Sequence, residues 1–350
     1  MNPLARAILT PFAGLYRSQI DRRNRAFDRG EGVVTFDRPV ISIGNLSVGG
    51  TGKTPMVARV IETLRREGFD PCIAMRGYGA KSSPSGRSDE ADEYAQRFDD
   101  LPIVAQPNRT EGLIELFGTE RGAKTDCVVL DDGFQHRRIA RVLDVVLIDA
   151  TRSPFDDELL PLGRLRETPA SLARAQAIVV THTERAADAD LNTMTRSIGE
   201  WAADATLSTA EHTWASLAVD GVEQPVSWLA GKRVLPVCAI GNPGPFLAQV
   251  GAAAGSLVDP IVLRDHDPYR GRTIARIRRA ADDAHAIVTT AKDWVKLGAA
   301  AGGAPGASGS DAWPCPIAVP GLAMRLVSGG DALDDLVIAA AGVRSDTLDA

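Results

Sequence analysis

The clearest chemical signal in this sequence is a glycine-rich segment, SVGGTGKT, at residues 47–54. Glycines let such a loop turn its backbone N–H groups toward phosphate oxygens, and a helix that follows adds a favourable partial charge. Lys53 would supply a positive charge to the β- and γ-phosphates, and Thr54 a hydroxyl to Mg²⁺. We therefore predict that ATP, together with Mg²⁺, binds to Ser47, Val48, Gly49, Gly50, Thr51, Gly52, Lys53 and Thr54.

Two adjacent aspartates form the second chemical signal. Asp131 and Asp132 come directly after an apolar run at residues 127–130. Carboxylates at the C-terminal edge of a parallel strand can hold Mg²⁺ directly or through water. We therefore predict a Walker B strand whose Asp131 and Asp132 bind the metal. The simpler alternative is an Asp-Asp-Gly turn after a core strand.

Short apolar runs recur along the chain, and helical patterns separate them. Such runs lie at residues 40–43, 72–75, 127–130, 145–148, 177–180, 234–237 and 286–289. Continuous apolar runs of this length are typical of parallel strands that are buried on both faces. The alternation predicts an α/β protein, namely a P-loop NTPase-like α/β/α sandwich followed by a second, smaller α/β/α domain.

The pattern changes at residues 212–228. Two β-type runs, 213–219 and 222–228, are separated by Asp220-Gly221, which is a strong hairpin signal. Because this hairpin interrupts the alternation of strands and helices, we predict the domain junction there. The expected organisation is a P-loop domain at 30–211, a two-stranded β linker at 212–228 and a smaller α/β domain at 229–350.

Composition excludes several classes of protein. The 350 residues carry a net charge of −6, so the whole chain has no nucleic-acid footprint. None of the 4 cysteines forms a CxxC pair, which excludes zinc ribbons and thioredoxin-like sites. Residues 234–258 carry no formal charge, but Gly241-Asn242-Pro243 interrupts them. We predict a strand, a turn and a helix of a water-soluble core there, and a cytoplasmic protein.

The first 29 residues are basic, unlike the chain as a whole. Arginines at positions 6, 17, 22, 23, 25 and 29 outnumber the aspartates at positions 21 and 28. Leu4, Ile8, Phe12 and Leu15 lie near one helical face, and Pro11 should bend the segment. This pattern is typical of a helix at the interface of an anionic membrane. The alternative is a helix that caps the first domain.

Taken together, these segments resemble the tetraacyldisaccharide 4′-kinases, the lipid A 4′-kinases of Gram-negative-type bacteria. The likeness covers roughly residues 4–297 and rests on segments in the same order: Ile43-Gly44-Asn45-Leu46, Arg76-Gly77-Tyr78-Gly79, the run Asp131 to His136, Leu165-Arg166-Glu167, Gly241-Asn242-Pro243, Asp265-His266 and the run Thr289 to Asp293. Any one of these segments is weak evidence, whereas their joint order is specific.

The resemblance implies a reaction and a location. It implies ATP-dependent phosphorylation of the 4′-hydroxyl of a tetraacyl glucosamine disaccharide 1-phosphate at the cytoplasmic face of the inner membrane. It also implies two α/β/α domains joined by a two-stranded linker, with a membrane surface as partner. It implies neither nucleic acid nor an obligate protein partner.

The resemblance also implies a catalytic Asp–His pair. The family's aspartate lies in a Gly-Asp-Glu-Pro segment, which corresponds here to Ser88-Asp89-Glu90-Ala91, although both flanking residues differ. Asp92 offers a second register, but the spacing to the strand at 102–104 favours Asp89. The histidine partner is His266, because the second histidine that the family often has is replaced here by Asp267.

Further contacts follow from the same resemblance. Glu167 would support Mg²⁺, although Thr168 is inserted before Pro169 in the family's Leu-Arg-Glu-Pro segment. Substrate or phosphate contacts are expected from Arg76, Tyr78, Gln135, His136, Arg166 and Asn242. His182, His212 and His285 lie in no motif and receive no role.

Two other functions stay open at this point. One is a P-loop ATPase of the partitioning or metallochaperone class, which often has an extra lysine early in its loop, where this chain has Val48 and Gly49. The other is a soluble P-loop kinase of a small metabolite, against which the basic N-terminal segment argues. Incubation with ATP and an acylated disaccharide phosphate distinguishes the three.

Overall fold

A computed structural model describes residues 3–77, 88–265, 267–300 and 313–343 of the chain. The chain divides into two compact units, of which the first comprises Met1–His212 and Met324–Ala350 and the second comprises Thr213–Ala323. Among the described residues, no helix is long and apolar enough to cross a membrane.

The strands follow one another in the order that the apolar runs predict. They are β1 (Val40–Asn45), β2 (Pro71–Met75), β3 (Ile103–Ala105), β4 (Cys127–Asp131), β5 (Leu143–Asp149), β6 (Ala177–Thr181), β7 (Thr206–Val219), β8 (Val222–Gln224), β9 (Arg233–Cys238), β10 (Ser256–Leu257), β11 (Ile261–Val262), β12 (Ala286–Thr289) and β13 (Ile317–Ser328). Every predicted apolar run therefore falls within a strand.

The helices fill most of the intervals between these strands. They are α1 (Pro3–Asp28), α2 (Lys53–Arg66), α3 (Asp89–Arg97), α4 (Arg109–Phe117), α5 (Glu120–Ala123), α6 (Asp188–Trp201), α7 (Gly244–Ala253), α8 (Gly271–Ala281), α9 (Ala291–Ala300) and α10 (Gly330–Ala341). Short 3-10 helices lie at Pro169–Arg174, Thr183–Arg185 and Val226–Leu229.

The first unit is built on a parallel sheet with the strand order β3-β2-β4-β1-β5-β6-β7. Successive residues of β1 and β5 face opposite sides of this sheet, so both faces are apolar and covered by helices. The predicted mixed α/β class with a mostly parallel sheet is confirmed. Its central strand β1 lies between β4 and β5, and the glycine-rich loop follows β1.

The C-terminal boundary of the predicted second domain is wrong. We predicted one domain at 229–350, but β13 and α10 carry the chain back into the first unit. Leu333 and Val337 of α10 are buried in the same core as Val57 and Ile61 of α2. The physical reason is that this apolar side of α10 covers part of the sheet beside α2 that would otherwise be exposed to water.

The predicted linker at 212–228 also differs from the structure. The hairpin turn exists, because Val219 of β7 pairs with Val222 of β8 across Asp220-Gly221. However, β8 has only three residues and lies in the second unit together with the turn. The strands that run from one unit to the other are β7 and β13, since each is long enough to begin in one unit and end in the other.

The second unit has its own parallel sheet, in which β9 lies between β10 and β12 and β12 pairs with β13. The short strand β11 also pairs with β9. Phe246 and Val250 of α7 pack on one face, and Ile274 and Ile277 of α8 pack on the other. The uncharged stretch 234–258 is thus the strand, turn and helix that the glycine and proline residues predicted.

Helix α1 lies against the first unit through polar contacts. Arg6 pairs with Glu158 at 2.8 Å, and Asp28 pairs with Arg137 at 2.7 Å, so both ends of the helix are held. On its outer side Ile8, Phe12 and Leu15 are 57%, 57% and 59% exposed. The helix therefore packs on the rest of the first unit, which agrees with the predicted capping helix. It also exposes an apolar stripe formed by Ile8, Phe12 and Leu15.

Candidate active site

The glycine-rich loop between β1 and α2 is held from several sides. The backbone N–H of Val48 donates to the carbonyl of Arg164 at 2.9 Å, and that of Arg166 donates to Leu46 at 2.7 Å. The amide of Asn45 at the end of β1 donates to the carbonyl of Ser47 at 2.7 Å. These hydrogen bonds give the start of the loop a defined position, as binding by backbone N–H groups requires.

Two glycines of this loop adopt the left-handed conformation. Gly49 has φ 128° and Gly52 has φ 83°, values that residues with a Cβ atom rarely adopt. Gly52 is also the cap residue that precedes Lys53, the first residue of α2. The sequence GKT therefore places the lysine at the positive end of the helix, as the pattern predicted.

The acidic pair lies beside this loop because β1 and β4 are parallel neighbours. Ile43 of β1 pairs with Asp131 of β4, so the two strands end at the same edge of the sheet. Asp132 follows with φ 53°, and the N–H of Gly133 donates to the carbonyl of Ile43 at 3.0 Å. This tight turn aims the carboxylates of Asp131 and Asp132 toward the loop.

Asp132 is the electrostatic centre of the site. Both of its carboxylate oxygens accept hydrogen bonds from the Arg166 guanidinium, at 2.7 and 2.8 Å. The ammonium of Lys53 lies 3.6 Å from the same carboxylate. Burial works against ionisation of Asp132, but Arg166 and Lys53 lower its pKa to about 2. Asp132 is therefore an anion at neutral pH, and two cations converge on it.

Because Arg166 holds Asp132 beside the glycine-rich loop, substitution of Arg166 should lower the rate of phosphoryl transfer. We expect Arg166→Ala to lower phosphoryl transfer by roughly 10²-fold, the typical effect of removing one positioned donor to a developing charge. Arg166→Lys should recover little, because an ammonium cannot form the two parallel hydrogen bonds. Steady-state rates at saturating ATP check this, with Arg196→Ala, which removes an exposed arginine of α6, as the control. A variant with full activity would remove Arg166 from the site.

Asp131 belongs to a more deeply buried group. Its carboxylate accepts a hydrogen bond of 3.0 Å from the hydroxyl of Tyr94 on α3, and burial raises its pKa. Tyr94 thus joins helix α3 to the end of β4, and nothing in the local sequence singled it out.

Helix α3 begins at the predicted catalytic residue. Its cap is Ser88, whose side chain accepts a hydrogen bond of 3.2 Å from the N–H of Ala91. Asp89 is the first helical residue, although its side chain lies outside the described part of the chain. Asp92 is one turn further along. Because Tyr94 fixes this helix to Asp131, both candidate aspartates belong to an element attached to the end of β4.

Gln135 and His136 follow the acidic pair. The Gln135 amide donates to the carbonyl of Asn45 at 2.9 Å, so it supports the end of β1. Burial and the nearby charges of Arg109 and Arg141 lower the pKa of His136 to about 4. Arg109 is itself buried and donates to the backbone carbonyl of Asp132 at 3.2 Å. Sequence reasoning missed Arg109, since a lone arginine at the start of a helix carries no signal.

Glu167 follows Arg166 in the chain and is fully buried. Its buried carboxylate accepts hydrogen bonds from Asn24, Ser171 and Arg174, at 2.9, 2.9 and 3.0 Å. In the part of the chain that the structure describes, no three His, Cys, Asp or Glu side chains form a metal-binding group. The hydrogen bonds from α1 and from Pro169–Arg174 all end on Oε2 of Glu167, whereas Oε1 is buried and accepts none among the described residues, so the metal role of Glu167 stays a prediction.

The remaining predicted residues are spread over the chain. Arg76 is exposed just after β2, and Asn242 is exposed just before α7 in the second unit. Near Asn242, Asp265 pairs with Lys292 at 3.3 Å. Tyr78 and His266 lie outside the described residues. Asp293 of the Thr289–Asp293 segment is buried and accepts hydrogen bonds from the N–H of Ala239 and the hydroxyl of Thr290, at 2.9 and 2.8 Å.

Comparisons with known proteins agree with this site. The family model described as tetraacyldisaccharide-1-P 4'-kinase matches residues 5–320. A tetraacyldisaccharide 4'-kinase of Geobacter sulfurreducens is 33% identical over 312 residues, covering 84% of this chain and 84% of the relative. One of Geobacter metallireducens is 35% identical over 296 residues, covering 79% and 84%.

A solved structure resembles the chain as well. It is a crystal structure of LpxK from Aquifex aeolicus in complex with ATP, with a TM-score of 0.71 and 27% identity. The match covers 96% of this chain and 99% of that one. The family model spans the loop, the acidic pair and Arg166. The chain belongs to the tetraacyldisaccharide-1-P 4'-kinase family.

Proposed function

We propose that this protein transfers the γ-phosphate of ATP to the 4′-hydroxyl of a tetraacyl glucosamine disaccharide 1-phosphate, giving the 1,4′-bisphosphate. The observation that carries the proposal is the convergence of Lys53 and Arg166 on Asp132 beside the glycine-rich loop. Phosphoryl transfer depends mainly on positioning and charge neutralisation, and this arrangement supplies both.

The loop residues 47–54 are the proposed ATP site. The similar structure from Aquifex aeolicus was solved with ATP, which supports the same ligand here. Lys53 contacts the β- and γ-phosphates, and the N–H groups of residues 49–53 surround them. The hydrogen bonds that hold the loop lower the entropic cost of ordering the site around the nucleotide.

Thr54, Asp131 and Asp132 fit Mg²⁺. A hydroxyl and two carboxylates are the oxygen ligands that this ion prefers, and it commonly takes only one or two carboxylates beside the phosphates. The Tyr94 hydroxyl holds the Asp131 carboxylate at the end of β4. When bound, the ion neutralises charge on the β- and γ-phosphates. Glu167, which the family pattern also assigns to Mg²⁺, is proposed to support this set, since its buried Oε1 accepts no hydrogen bond among the described residues.

Asp89 and His266 are the proposed catalytic pair, as the family pattern implies. Asp89 orients the attacking sugar hydroxyl and accepts its proton, and His266 supports that role. Arg76, Tyr78, Gln135, His136 and Asn242 are the proposed substrate contacts. The exposed positions of Arg76 and Asn242 and the arginine-rich surroundings of His136 suit an anionic sugar lipid.

Helix α1 is the proposed contact with the cytoplasmic face of the inner membrane. Its free apolar stripe suits the boundary between headgroups and acyl chains, and its arginines suit anionic lipid. A tetraacylated acceptor stays in the bilayer, so an enzyme attached there meets it directly.

The triple variant Ile8→Ser, Phe12→Ser and Leu15→Ser tests this contact without removing the polar contacts of α1. Because each buried apolar side chain contributes roughly 1.5–3 kcal/mol, we expect binding to anionic vesicles to fall by at least ~10²-fold. Binding of ATP should not change. Vesicle sedimentation measures the effect, and Ile114→Ser removes an equally exposed side chain from α4 as the control. Equal vesicle binding by parent and triple variant would leave α1 as a cap only.

The choice of acceptor tests the proposed function against its alternatives. We expect ATP consumption to require the acylated disaccharide 1-phosphate. ATP hydrolysis at the same rate without lipid would favour the partitioning or metallochaperone class. Faster transfer to a soluble sugar than to the lipid would favour a metabolite kinase.

A further inference from the structure

Two histidines to which no sequence motif assigned a role lie together against the glycine-rich loop. The rings of His182 and His212 are 4.1 Å apart and inclined by 32°. His182 follows β6 and His212 lies in β7, so the parallel pairing of these strands brings them together. Both side chains are buried, and the first unit contains both.

The carboxylate of Asp149 completes this cluster. It lies 3.3 Å from Nδ1 of His182, and it accepts two hydrogen bonds from Thr151, at 2.9 Å from the backbone N–H and 2.7 Å from the hydroxyl. Burial opposes ionisation of Asp149, but His182 and Thr151 lower its pKa to about 2. Asp149 also lines the small cavity beside Ser47–Thr51. The anion therefore holds the orientation of the His182 ring.

His212 is packed directly on the end of the loop. A Cβ atom added to Gly52 would lie 2.4 Å from Nε2 of His212 and 2.9 Å from the terminal methyl of Met324. Only a glycine fits at position 52, both because of its φ of 83° and because the imidazole fills the space. Burial and the charges of His182 and Arg185 lower the pKa of His212 to about 3.

Thr51, which precedes Gly52 in the loop, is held by the end of β6. The hydroxyl of Thr181, next to His182, donates to the carbonyl of Thr51 at 3.0 Å. Thr51 and Gly52 are thus fixed by β6 and β7, on the side of β1 that is opposite to β4. Lys53 follows them immediately, so the position of its N–H and of its side chain depends on this contact.

We propose that Asp149, His182 and His212 are positioning residues that hold the Thr51–Lys53 end of the loop in the conformation that binds ATP. The inference rests on the proposed ATP site and extends it. Asp149 orients His182, His182 packs on His212, and the His212 ring forms a wall against Gly52. His212 acts by filling the space beside Gly52, so the proposal requires an aromatic ring at position 212 rather than a titratable group.

The test separates positioning from general stability. We expect His212→Ala to raise the KM for ATP and the Kd for a fluorescent ATP analogue about tenfold, as loss of a supporting residue behind a binding group does. The KM for the lipid should not change. His212→Phe should return both ATP constants to within about threefold of the parent, because the ring is restored. Asp149→Asn should produce a smaller rise in the same two constants.

The controls use other parts of the chain. His285→Ala removes a histidine of the second unit and should leave both ATP constants unchanged. Unchanged ATP constants in His212→Ala would overturn the proposal, and so would a failure of His212→Phe to restore them. Analogue binding needs no lipid, so it tests the proposal even if the acceptor were another molecule.

Discussion

Lys53→Ala is expected to abolish phosphoryl transfer while the protein stays folded. The ammonium of Lys53 lies 3.6 Å from Asp132 and 3.4 Å from the side-chain oxygen of Asn45, within the site and at the start of α2. Its loss removes the positive charge nearest the predicted β- and γ-phosphates, which should cost roughly 10³-fold or more in turnover. The fold should persist because Asp132 keeps its bidentate partner Arg166.

The measurement is the initial rate of lipid phosphorylation at saturating ATP, with the melting temperature recorded alongside. Lys124→Ala is the control, because this exposed lysine pairs with Glu120, four residues before it, and lies outside the proposed ATP site. Turnover of Lys53→Ala within a factor of a few of the parent would remove the glycine-rich loop from the mechanism.

Asp89→Asn is expected to have the second-largest effect. If Asp89 accepts the proton of the sugar hydroxyl, its loss should lower turnover by ~10² to 10⁴-fold and change the KM for the lipid much less. His266→Ala should act in the same direction. The double variant should lose much less than the product of the two single losses, because paired residues act as a unit.

Asp92→Asn decides the register of the catalytic aspartate. It lies on the same helix, one turn beyond Asp89, and should leave turnover close to that of the parent. A crippled Asp92→Asn with an active Asp89→Asn would move the base by three residues. Activity in both variants would mean that the metal and phosphate surroundings alone activate the hydroxyl.

The parts of the fold that local sequence controls could be predicted. The apolar runs became strands because a parallel strand buried on both faces has few polar positions. The loop at 47–54 has its left-handed residues at Gly49 and Gly52, where the sequence provides glycine. The acidic pair lies beside that loop because β1 and β4 are neighbours, which the P-loop pattern implies.

Long-range contacts could not be predicted in the same way. Helix α10 has an ordinary apolar face. Nothing in its residues shows that this face packs beside α2 rather than in the second unit, which directly precedes it in the sequence. Tyr94 reaches Asp131 across 37 residues, and Asn24 reaches Glu167 across 143. Such pairs depend on the complete topology, so neither Tyr94 nor the buried partners of Glu167 could be inferred from the local sequence.

The histidines show the same limit. His182 and His212 are separated by 30 positions in the sequence and share no motif. They meet because β6 and β7 are adjacent in the sheet, which only the structure establishes. A search for polar residues at the ends of consecutive strands would have found Asp149 and His182. It would not have found His212, which lies in the middle of β7.

The most direct test of the account is to identify the phosphorylated atom in the product. Purified protein, ATP, Mg²⁺ and a tetraacyl glucosamine disaccharide 1-phosphate should yield ADP and the 1,4′-bisphosphate in equal amounts, and Lys53→Ala should yield neither. Phosphorus NMR and mass spectrometry of the lipid locate the new phosphate. A phosphate at another hydroxyl, or ADP formed without phosphorylated lipid, would contradict the account.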